Sequence, residues 1–537
     1  MNFCRIGPMF DCSRNAVLNL ESIQKLIQIT ARSGYTTFML YLEDVYEMEG
    51  EPYFGHGRGR YTQEELRTID AWCKDAGLEF IPCIQTLAHL DCMLRWPKYA
   101  KIRDFANIML VGEEETYALI EKMFQTMANC VSTRILNVGM DEAHMVGHGK
   151  YYHLHGHVPR SEVMMHHVQR VAEIAKKYGF TITVWSDMFY HLASSGGRYS
   201  RDFKVTDEVR GCIPSNVELV YWEYLSADEK QYDAIIRNHE KMKKGTWFAG
   251  ALGSCRGYSP VNANSILNTK VALRSCKRNG IQNVMMTSWG DDGGECSRFS
   301  FLPSLFFAGQ YAQGNTSITK IRKAFEDEFK ISWNAFMNLD LISGTKRTNA
   351  SKYMLYNDLF SGLLDTRIPP HVEQEFAACA RRLSRYQKHE TWGYLFTTAT
   401  ALCRVLEVKA NLGNDLRAAY QKDDREALTA LIKRCKLLTK RLQVFYRAYR
   451  NQWYLENKDF GFEVQDIRIG GLISRVKNCT WRLEQYLSGD VQRIEELEQT
   501  PLDYAGAGEA RIPNLISVDY ENSVSAGVVI NKTYNPL

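Results

Sequence analysis

The sequence predicts an α/β fold, a (β/α)8 barrel, followed by an α-helical domain. Residues 1 to about 315 repeat one pattern eight times: a short apolar strand, a polar or aromatic loop and an amphipathic helix. After about residue 335 the strand patterns stop and long helical stretches follow. A doubly wound sheet would need a glycine-rich turn after its first strand, and that position holds Asp11, Cys12, Ser13 and Arg14. The eightfold repeat and the missing glycine-rich turn favour the barrel, and the later helical stretches predict the second domain.

The eight strands follow from short apolar runs that end at polar or aromatic residues. They are predicted near residues 3–10, 35–42, 79–86, 134–140, 180–186, 217–222, 246–251 and 283–289. The barrel helices are predicted at about 20–33, 62–76, 114–130, 161–178, 228–243, 261–279 and 303–313. Thr62 is a suitable N-cap, and the two glutamates that follow it suit the first turn of a helix. Gly179 is a suitable C-cap.

The chain is predicted to have three parts. Residues 1–335 form the barrel, 336–500 the helical domain, and 501–537 a short C-terminal tail of β character. The helical domain is predicted from stretches near 371–389, 391–412, 424–456 and 462–487. The tail suits either a small ribbon or a contact with a partner, and a homodimer is a reasonable expectation for exposed helical faces beside a barrel.

Composition excludes several classes of protein. The 537 residues are 45% hydrophobic and 24% charged with a net charge of +4, and no basic run suggests a nucleic-acid partner. No apolar window reaches the length of a membrane span, and the N-terminus reads as a strand and not as a signal peptide. The fourteen scattered cysteines contain no CxxC pair, which is typical of free thiols in a reducing compartment. The expected location is therefore cytoplasmic.

The fourth predicted strand carries the strongest functional signal. Its apolar run ends in two adjacent carboxylates, Asp141 and Glu142. Buried strands rarely hold unpaired charge, and barrel enzymes place their catalytic groups at the C-terminal ends of the strands. The pair is therefore a catalytic candidate, although a solvated helix N-terminus would explain the same two residues if they stood alone.

Other strand ends carry aromatic and polar side chains that would meet at the same mouth. Indole faces stack on the C–H faces of a sugar ring, and charged groups bind its hydroxyls. Any single tryptophan could instead be packed in the core. The candidate binding residues are Arg14, His89, Trp185, Trp222, Trp289 and Asp291, and further polar ends are Asp11, Glu43, Asp44, Gln85 and Asp187.

Four segments resemble motifs of glycoside hydrolase family 20, the exo-β-N-acetylhexosaminidases. The fourth-strand signature of that family resembles residues 139–142, Gly-Met-Asp-Glu, and its first-strand Leu-Asp-x-Ser-Arg is similar to residues 10–14. Residues 85–90 resemble the third-strand histidine motif, and 289–291 the eighth-strand Trp-x-acid. Residues 41–61 resemble the subgroup that contains hexosaminidase D and related bacterial enzymes. The resemblance covers about residues 1–310.

The resemblance implies a retaining hydrolase that removes a terminal β-linked GlcNAc or GalNAc from a glycan or glycoconjugate. In such enzymes the 2-acetamido oxygen of the substrate attacks the anomeric carbon. Asp141 would orient and stabilise the acetamide, and Glu142 would protonate the leaving oxygen and later activate water. No cofactor is expected. Adjacent carboxylates are also poorly placed to flank a sugar ring from opposite faces, as conventional pairs do.

The resemblance also implies roles for the binding residues. Arg14 would bind the 3- and 4-hydroxyls, and His89 is the active-site histidine. Trp289 would stack on the sugar while Asp291 holds its 4- and 6-hydroxyls. Trp185 and Trp222 lie where the family places the tryptophans of the acetamide pocket.

The sequence departs from the family pattern in two places. Family members commonly carry a small α/β domain before the barrel, and here the barrel begins at residue 1. The seventh-strand Tyr-x-Asp, whose tyrosine would bind the acetamide carbonyl, is not visible. Tyr258 and Tyr224 are both candidates to replace it, and the sequence does not choose between them.

Two other functions remain open at this point. The loop after the fourth strand is rich in histidine, and with Asp141 it could ligate a metal ion in a metal-dependent hydrolase. Its histidines are His144, His148, His153, His155 and His157. The other alternative is a barrel that binds sugar without catalysing a reaction.

Overall fold

The computed structural model describes residues 3–193, 199, 201, 211, 213–243, 245–253, 257–291, 293–343 and 350–503. Eight parallel strands form a closed barrel in which β1 pairs with both β2 and β8. The strands are β1 (Arg5–Asp11), β2 (Thr37–Glu43), β3 (Glu79–Ile84), β4 (Ile135–Asn137), β5 (Thr181–Trp185), β6 (Val217–Trp222), β7 (Trp247–Ala251) and β8 (Asn283–Ser288). The predicted fold class and all eight predicted strands are confirmed.

The barrel helices follow the strands as predicted. They are Leu20–Arg32, Gln63–Asp75, Glu114–Cys130, Arg160–Lys177, Asp187–Ala193, Glu229–Met242, Asn262–Arg278 and Leu302–Ala312. Thr62 caps its helix in both directions, since its side chain accepts from the Glu65 amide and the Glu65 carboxylate accepts from the Thr62 amide. The helix after β5 was not predicted, because it begins only two residues after the strand and is short.

Short elements that the sequence analysis did not identify extend the loops after β3 and β4. These are the helix Asp91–Leu94, a 3-10 turn at Pro97–Ile102, a hairpin of Arg103–Phe105 with Ile108–Met109, and the helix Lys150–His155. Each is too short to show a periodic hydrophobic pattern. They lie at the C-terminal ends of their strands, beside the predicted catalytic pair.

The region after the barrel is helical, as predicted. Its α-helices are Ile318–Phe329, Trp333–Met337, Ala350–Tyr356, Val372–Leu383, Gly393–Lys409, Leu412–Gln421, Arg425–Glu456, Phe462–Ser488 and Glu495–Glu498. The predicted stretch 391–412 is too long, because its helix ends at Lys409 and a new one starts at Leu412. The predicted β character of the tail falls on residues 504–537, which lie outside the described residues.

The turn between the two long C-terminal helices docks on the barrel rim. Asn457 forms a β-bridge with Leu18, and the Lys458 amide donates to the Val17 carbonyl at 2.7 Å. The Lys458 ammonium binds Glu65 at 2.8 Å. These contacts involve the loop after β1 and the first turn of the helix after β2, so the helical domain is fixed to the end of the barrel that carries the predicted site.

Two further predictions can be compared with the described part of the chain. Its twelve cysteines are all free thiols and ten of them are buried, as expected from their scattered positions. None of the helices in these ranges combines the length and the apolar character that crossing a bilayer requires.

Candidate active site

The catalytic candidates follow a sharp turn at the end of β4. The strand stops at Asn137, and left-handed backbone follows at Gly139 (φ 73°), Met140 (φ 72°) and Glu142 (φ 50°). The alternation of a strand therefore no longer separates Asp141 from Glu142. His89 Nε2 lies 3.3 Å from Asp141 Oδ2 and 3.8 Å from Glu142 Oε2, so the two carboxylates face one common group.

The two carboxylates differ in their environment. The Asp141 side chain is 12% exposed and that of Glu142 is 43% exposed. Gln85 fixes the buried Asp141 in place. Its Nε2 donates to Asp141 Oδ1 at 2.7 Å, and its Oε1 accepts from the Met140 amide at 3.0 Å. A Cβ on Gly139 would lie 1.9 Å from Gln85 Oε1, so this turn requires glycine. Asp141 is thus fixed and Glu142 is open to a ligand.

Asp141 and His89 carry opposite charges at neutral pH. Burial alone would lower the pKa of His89, but the neighbouring Asp141 carboxylate raises it to about 10. Burial opposes the ionisation of Asp141, yet His89 and the hydrogen bond from Gln85 bring its pKa below the ordinary value. The site therefore holds an ionised carboxylate in a buried position.

A third carboxylate, Asp187, accepts a hydrogen bond from the backbone of the pair. Its Oδ2 accepts from the Glu142 amide at 2.9 Å, and its Oδ1 accepts from Trp222 Nε1 at 3.3 Å. Burial raises the pKa of Asp187 to about 7, and the negative charge of Asp141 adds to this effect. The sequence predicts Asp187 at a strand end but predicts no role for it. Its position two residues after Trp185 was the only signal.

Arg14 lies across the mouth from these carboxylates. Its guanidinium binds the Glu43 carboxylate and donates to Ser13 Oγ at 2.7 Å. Arg14 Nε lies 4.0 Å from Asp291 Oδ1. Burial raises the pKa of Glu43 to about 7, although Arg14 opposes the shift. Arg14 and Asp291 are therefore neighbours at the mouth of the barrel.

Aromatic rings form the walls of the mouth. The half-buried Trp289 ring lies 5.9 Å from that of Trp185 and meets Tyr41 edge-on at 4.7 Å. Trp222 stacks on Tyr224 with ring centres 5.0 Å apart. Tyr41 also accepts a hydrogen bond from Gln85, which links the walls to the carboxylates. All eight predicted site residues therefore lie at the C-terminal end of the barrel.

Two family models match this chain. The catalytic domain of glycosyl hydrolase family 20 matches residues 7–240, and the Glycoside Hydrolase 20C C-terminal domain matches residues 333–516. The chain belongs to glycoside hydrolase family 20. This confirms the resemblance drawn from the sequence and the prediction that the protein is a glycoside hydrolase of the β-N-acetylhexosaminidase family.

The chain is similar to several known proteins at low sequence identity. Hexosaminidase D of Bos taurus is 24% identical over 275 residues, which cover 48% of this chain and 76% of that protein. Hexosaminidase D of Homo sapiens is 22% identical over 351 residues, 62% of this chain and 69% of that protein. A solved family 20 exo-β-N-acetylglucosaminidase of Vibrio harveyi, in complex with N-acetylglucosamine, gives a TM-score of 0.46 at 14% identity. That match covers 63% of this chain and 58% of the solved one.

The structure separates the two tyrosines proposed for the missing family 20 residue. The Tyr258 hydroxyl lies 2.8 Å from that of Tyr356, and its ring packs edge-on against Phe445 and Tyr449 of the helical domain. Tyr224 instead stacks on Trp222, at the predicted acetamide pocket. The geometry therefore favours Tyr224 over Tyr258.

The histidine-rich loop of this family 20 chain does not form a metal centre in the described ranges. No group of three or more histidine, cysteine, aspartate or glutamate side chains is placed there to share an ion. The five loop histidines are exposed. The metal-dependent alternative therefore has no support from the arrangement of these residues.

Proposed function

We propose that this chain is a retaining exo-β-N-acetylhexosaminidase that uses the acetamide group of its substrate as the nucleophile. The proposal depends on one observation: Asp141 and Glu142 face the same histidine, one buried and ion-paired and the other exposed. Carboxylates of two adjacent residues on one turn are poorly placed to flank a sugar ring from opposite faces, as a conventional pair does. The substrate is a terminal β-linked GlcNAc or GalNAc of a glycan or glycoconjugate.

In the first step the acetamide oxygen attacks the anomeric carbon and the bond to the aglycone breaks. Glu142 donates its proton to the leaving oxygen, and positive charge spreads over the ring formed with the acetamide. Asp141 accepts a hydrogen bond from the acetamide N–H and stabilises that charge. It is ionised and buried before the substrate arrives, so little reorganisation is needed.

In the second step water attacks the anomeric carbon and opens the cyclic intermediate. Glu142, now a carboxylate, accepts the proton of that water and returns to its acid form. Two inversions at the same carbon give net retention of configuration. Asp187 supports both steps because its bond to the Glu142 amide fixes the backbone that carries the acid.

The binding residues complete the sugar site. Trp289 forms the surface on which the ring stacks, and Arg14 with Asp291 binds the hydroxyls opposite the acetamide. Trp185, Trp222 and Tyr224 surround the acetamide itself. The closeness of Arg14 to Asp291, and of Trp222 to Tyr224, supports these assignments.

The proposal is tested with aryl β-glycosides that differ only at C2. Wild-type protein is expected to hydrolyse the 2-acetamido sugar and to leave the 2-hydroxy sugar intact. Glu142→Gln should lose turnover on substrates with poor leaving groups and recover part of it on an activated dinitrophenyl glycoside. Glu162→Gln, at an exposed position of the helix after β4, is the matched control. Equal hydrolysis of both sugars, or full activity of Glu142→Gln, would contradict the proposal.

A further inference from the structure

A buried ion cluster joins the loop after β8 to the helical domain. The Glu295 carboxylate is fully buried, with Lys352 Nζ 2.7 Å from one oxygen and Arg468 Nη1 2.9 Å from the other. Gln465 Nε2 donates to the second oxygen at 3.2 Å. The side chains of Lys352 and Arg468 are each 2% exposed. Burying three charges is costly, and removing one partner leaves an uncompensated charge in the interior.

The same loop carries two of the proposed sugar-binding residues. Trp289 and Asp291 lie at its start, and Asp291 is only four residues before Glu295 in the sequence. Its first end is tied to the barrel, since the Gly290 amide donates to Asp11 Oδ2 at 2.8 Å. Arg298 ties its other end, donating to the Asp11 carbonyl at 2.6 Å and to the Trp289 carbonyl at 3.2 Å.

Two positions of the loop, Gly293 and Gly294, are packed too closely for any residue but glycine. A Cβ on Gly293, where φ is 120°, would lie 2.6 Å from Arg468 Nη1. A Cβ on Gly294 would lie 2.5 Å from the Ala16 Cβ and 2.7 Å from the Arg14 carbonyl. The loop is thus held between the helix Phe462–Ser488 on one side and the β1 loop with Arg14 on the other.

We propose that Arg468 and Lys352 act through Glu295 as positioning residues that hold Asp291 and Trp289 at the sugar. The inference rests on the proposed function, and it makes the helical domain a working part of the active site. None of the three residues is expected to touch the substrate. Their effect is on the place of the loop, and a displacement of about 1 Å at a site of this kind can reduce the rate by about a hundredfold.

The test compares two arginines of the same helix. Arg468→Met removes a ligand of Glu295. Arg475→Met is the matched control because it lies two turns further along, where it binds Asp358 within the helical domain at 2.7 and 2.9 Å. Both variants are measured as full-length protein for kcat/KM on an aryl β-N-acetylglucosaminide and on its 6-deoxy analogue. Hydrogen–deuterium exchange of the peptide spanning 289–298 is followed in parallel.

Arg468→Met is expected to exchange faster in that peptide and to lose about ten- to a hundredfold in kcat/KM. Its penalty for the missing 6-hydroxyl should shrink, because Asp291 no longer binds that group well. Arg475→Met should keep the wild-type kinetics and the wild-type penalty. Wild-type exchange and kinetics in folded Arg468→Met would overturn the inference.

If Arg468→Met does not fold, two other variants carry the same predictions. Lys352→Met removes the other partner of Glu295, and Arg468→Lys keeps the charge but not the geometry. Inactive wild-type protein would overturn the proposed function alone, because the exchange of peptide 289–298 still reports whether the cluster holds the loop.

Discussion

His89 sets the charge of the proposed active site. Burial alone would favour the protonated form of Asp141, and the neighbouring imidazolium keeps it ionised. The folded pKa of Asp141 lies below its ordinary 3.8, so its ionised form persists above that value and is lost as the pH falls through the lower folded pKa. The pKa of His89 is raised to about 10, so its charge is lost only as the pH rises through that value. The ion pair therefore spans the neutral range.

Replacing His89 with asparagine should move the acid side of the pH profile upward. Asparagine tolerates the left-handed backbone of this position (φ 56°) but carries no charge. The pKa of Asp141 should then rise because the charge of His89 no longer offsets its burial, although the hydrogen bond from Gln85 still opposes the rise, and activity at neutral pH should fall. The measurement is kcat/KM against pH. His166→Asn, at an exposed position, is the control. An acid limb in the same place as in wild type would contradict this account of His89.

The turn after β4 determines the directions in which the Asp141 and Glu142 side chains point. The sequence predicted strand up to residue 140, and the structure ends it at Asn137 because Gly139 and Met140 adopt left-handed backbone. The early end of the strand lets two neighbouring residues serve one ligand. Gln85 fits against Gly139 and bonds to both Asp141 and the Met140 amide.

Gly139→Ala should therefore destabilise the protein and reduce its activity together. The new methyl would collide with Gln85 and would also be strained at φ 73°. We expect a loss of about 1–3 kcal/mol in the free energy of unfolding from strain and displacement, with a clear fall in kcat. Gly156→Ala is the matched control, because Gly156 has a φ of 71° and no atom within 4 Å of the added Cβ. Urea unfolding measures the loss of stability, and initial rates measure the loss of activity. Equal effects of both substitutions would show that Gln85 does not need the space.

The strands could be predicted from the sequence, whereas the shortest helices and the contacts between strand ends could not. Apolar runs located all eight strands, and the residues after them identified the carboxylate pair and the tryptophans of the mouth. Asp187 received no role because its bond to the Glu142 amide joins two strand ends and leaves no sequence pattern. The short helices after β3 and β4 were missed because a single turn has no measurable period.

The Glu295 cluster was missed for a different reason. Its partners lie 57 and 173 residues further along the chain, so no local pattern connects them. Tyr258 illustrates the same limit: its neighbours come from the helical domain, which the sequence could not dock against the barrel. Contacts between domains depend on packing that periodicity does not report. The cytoplasmic location and the homodimer stay predictions.

The barrel and the helical domain share contacts beside the proposed site. Lys458 donates to the Val17 carbonyl in the loop after β1 and to the Arg60 carbonyl in the loop after β2, and Arg468 binds Glu295 in the loop after β8. A domain attached in this way should not move or melt independently.

Heating should therefore unfold the two domains in one cooperative transition. Loss of the helical domain would expose the charges around Glu295 and release the loop that carries Trp289, so the barrel should not persist alone. Differential scanning calorimetry, with residual activity followed over the same temperatures, makes the comparison. Two separated transitions, with activity surviving the first, would contradict the shared site.

In the proposed mechanism the acetamide of the sugar, held by Asp141, displaces the aglycone. The decisive measurement is the rate of hydrolysis of aryl glycosides whose N-acetyl group carries none, one, two or three fluorine atoms. Fluorine withdraws electrons from the carbonyl oxygen and weakens it as a nucleophile. We expect kcat/KM to fall steeply with each added fluorine. Rates that do not depend on fluorine content would contradict the claim.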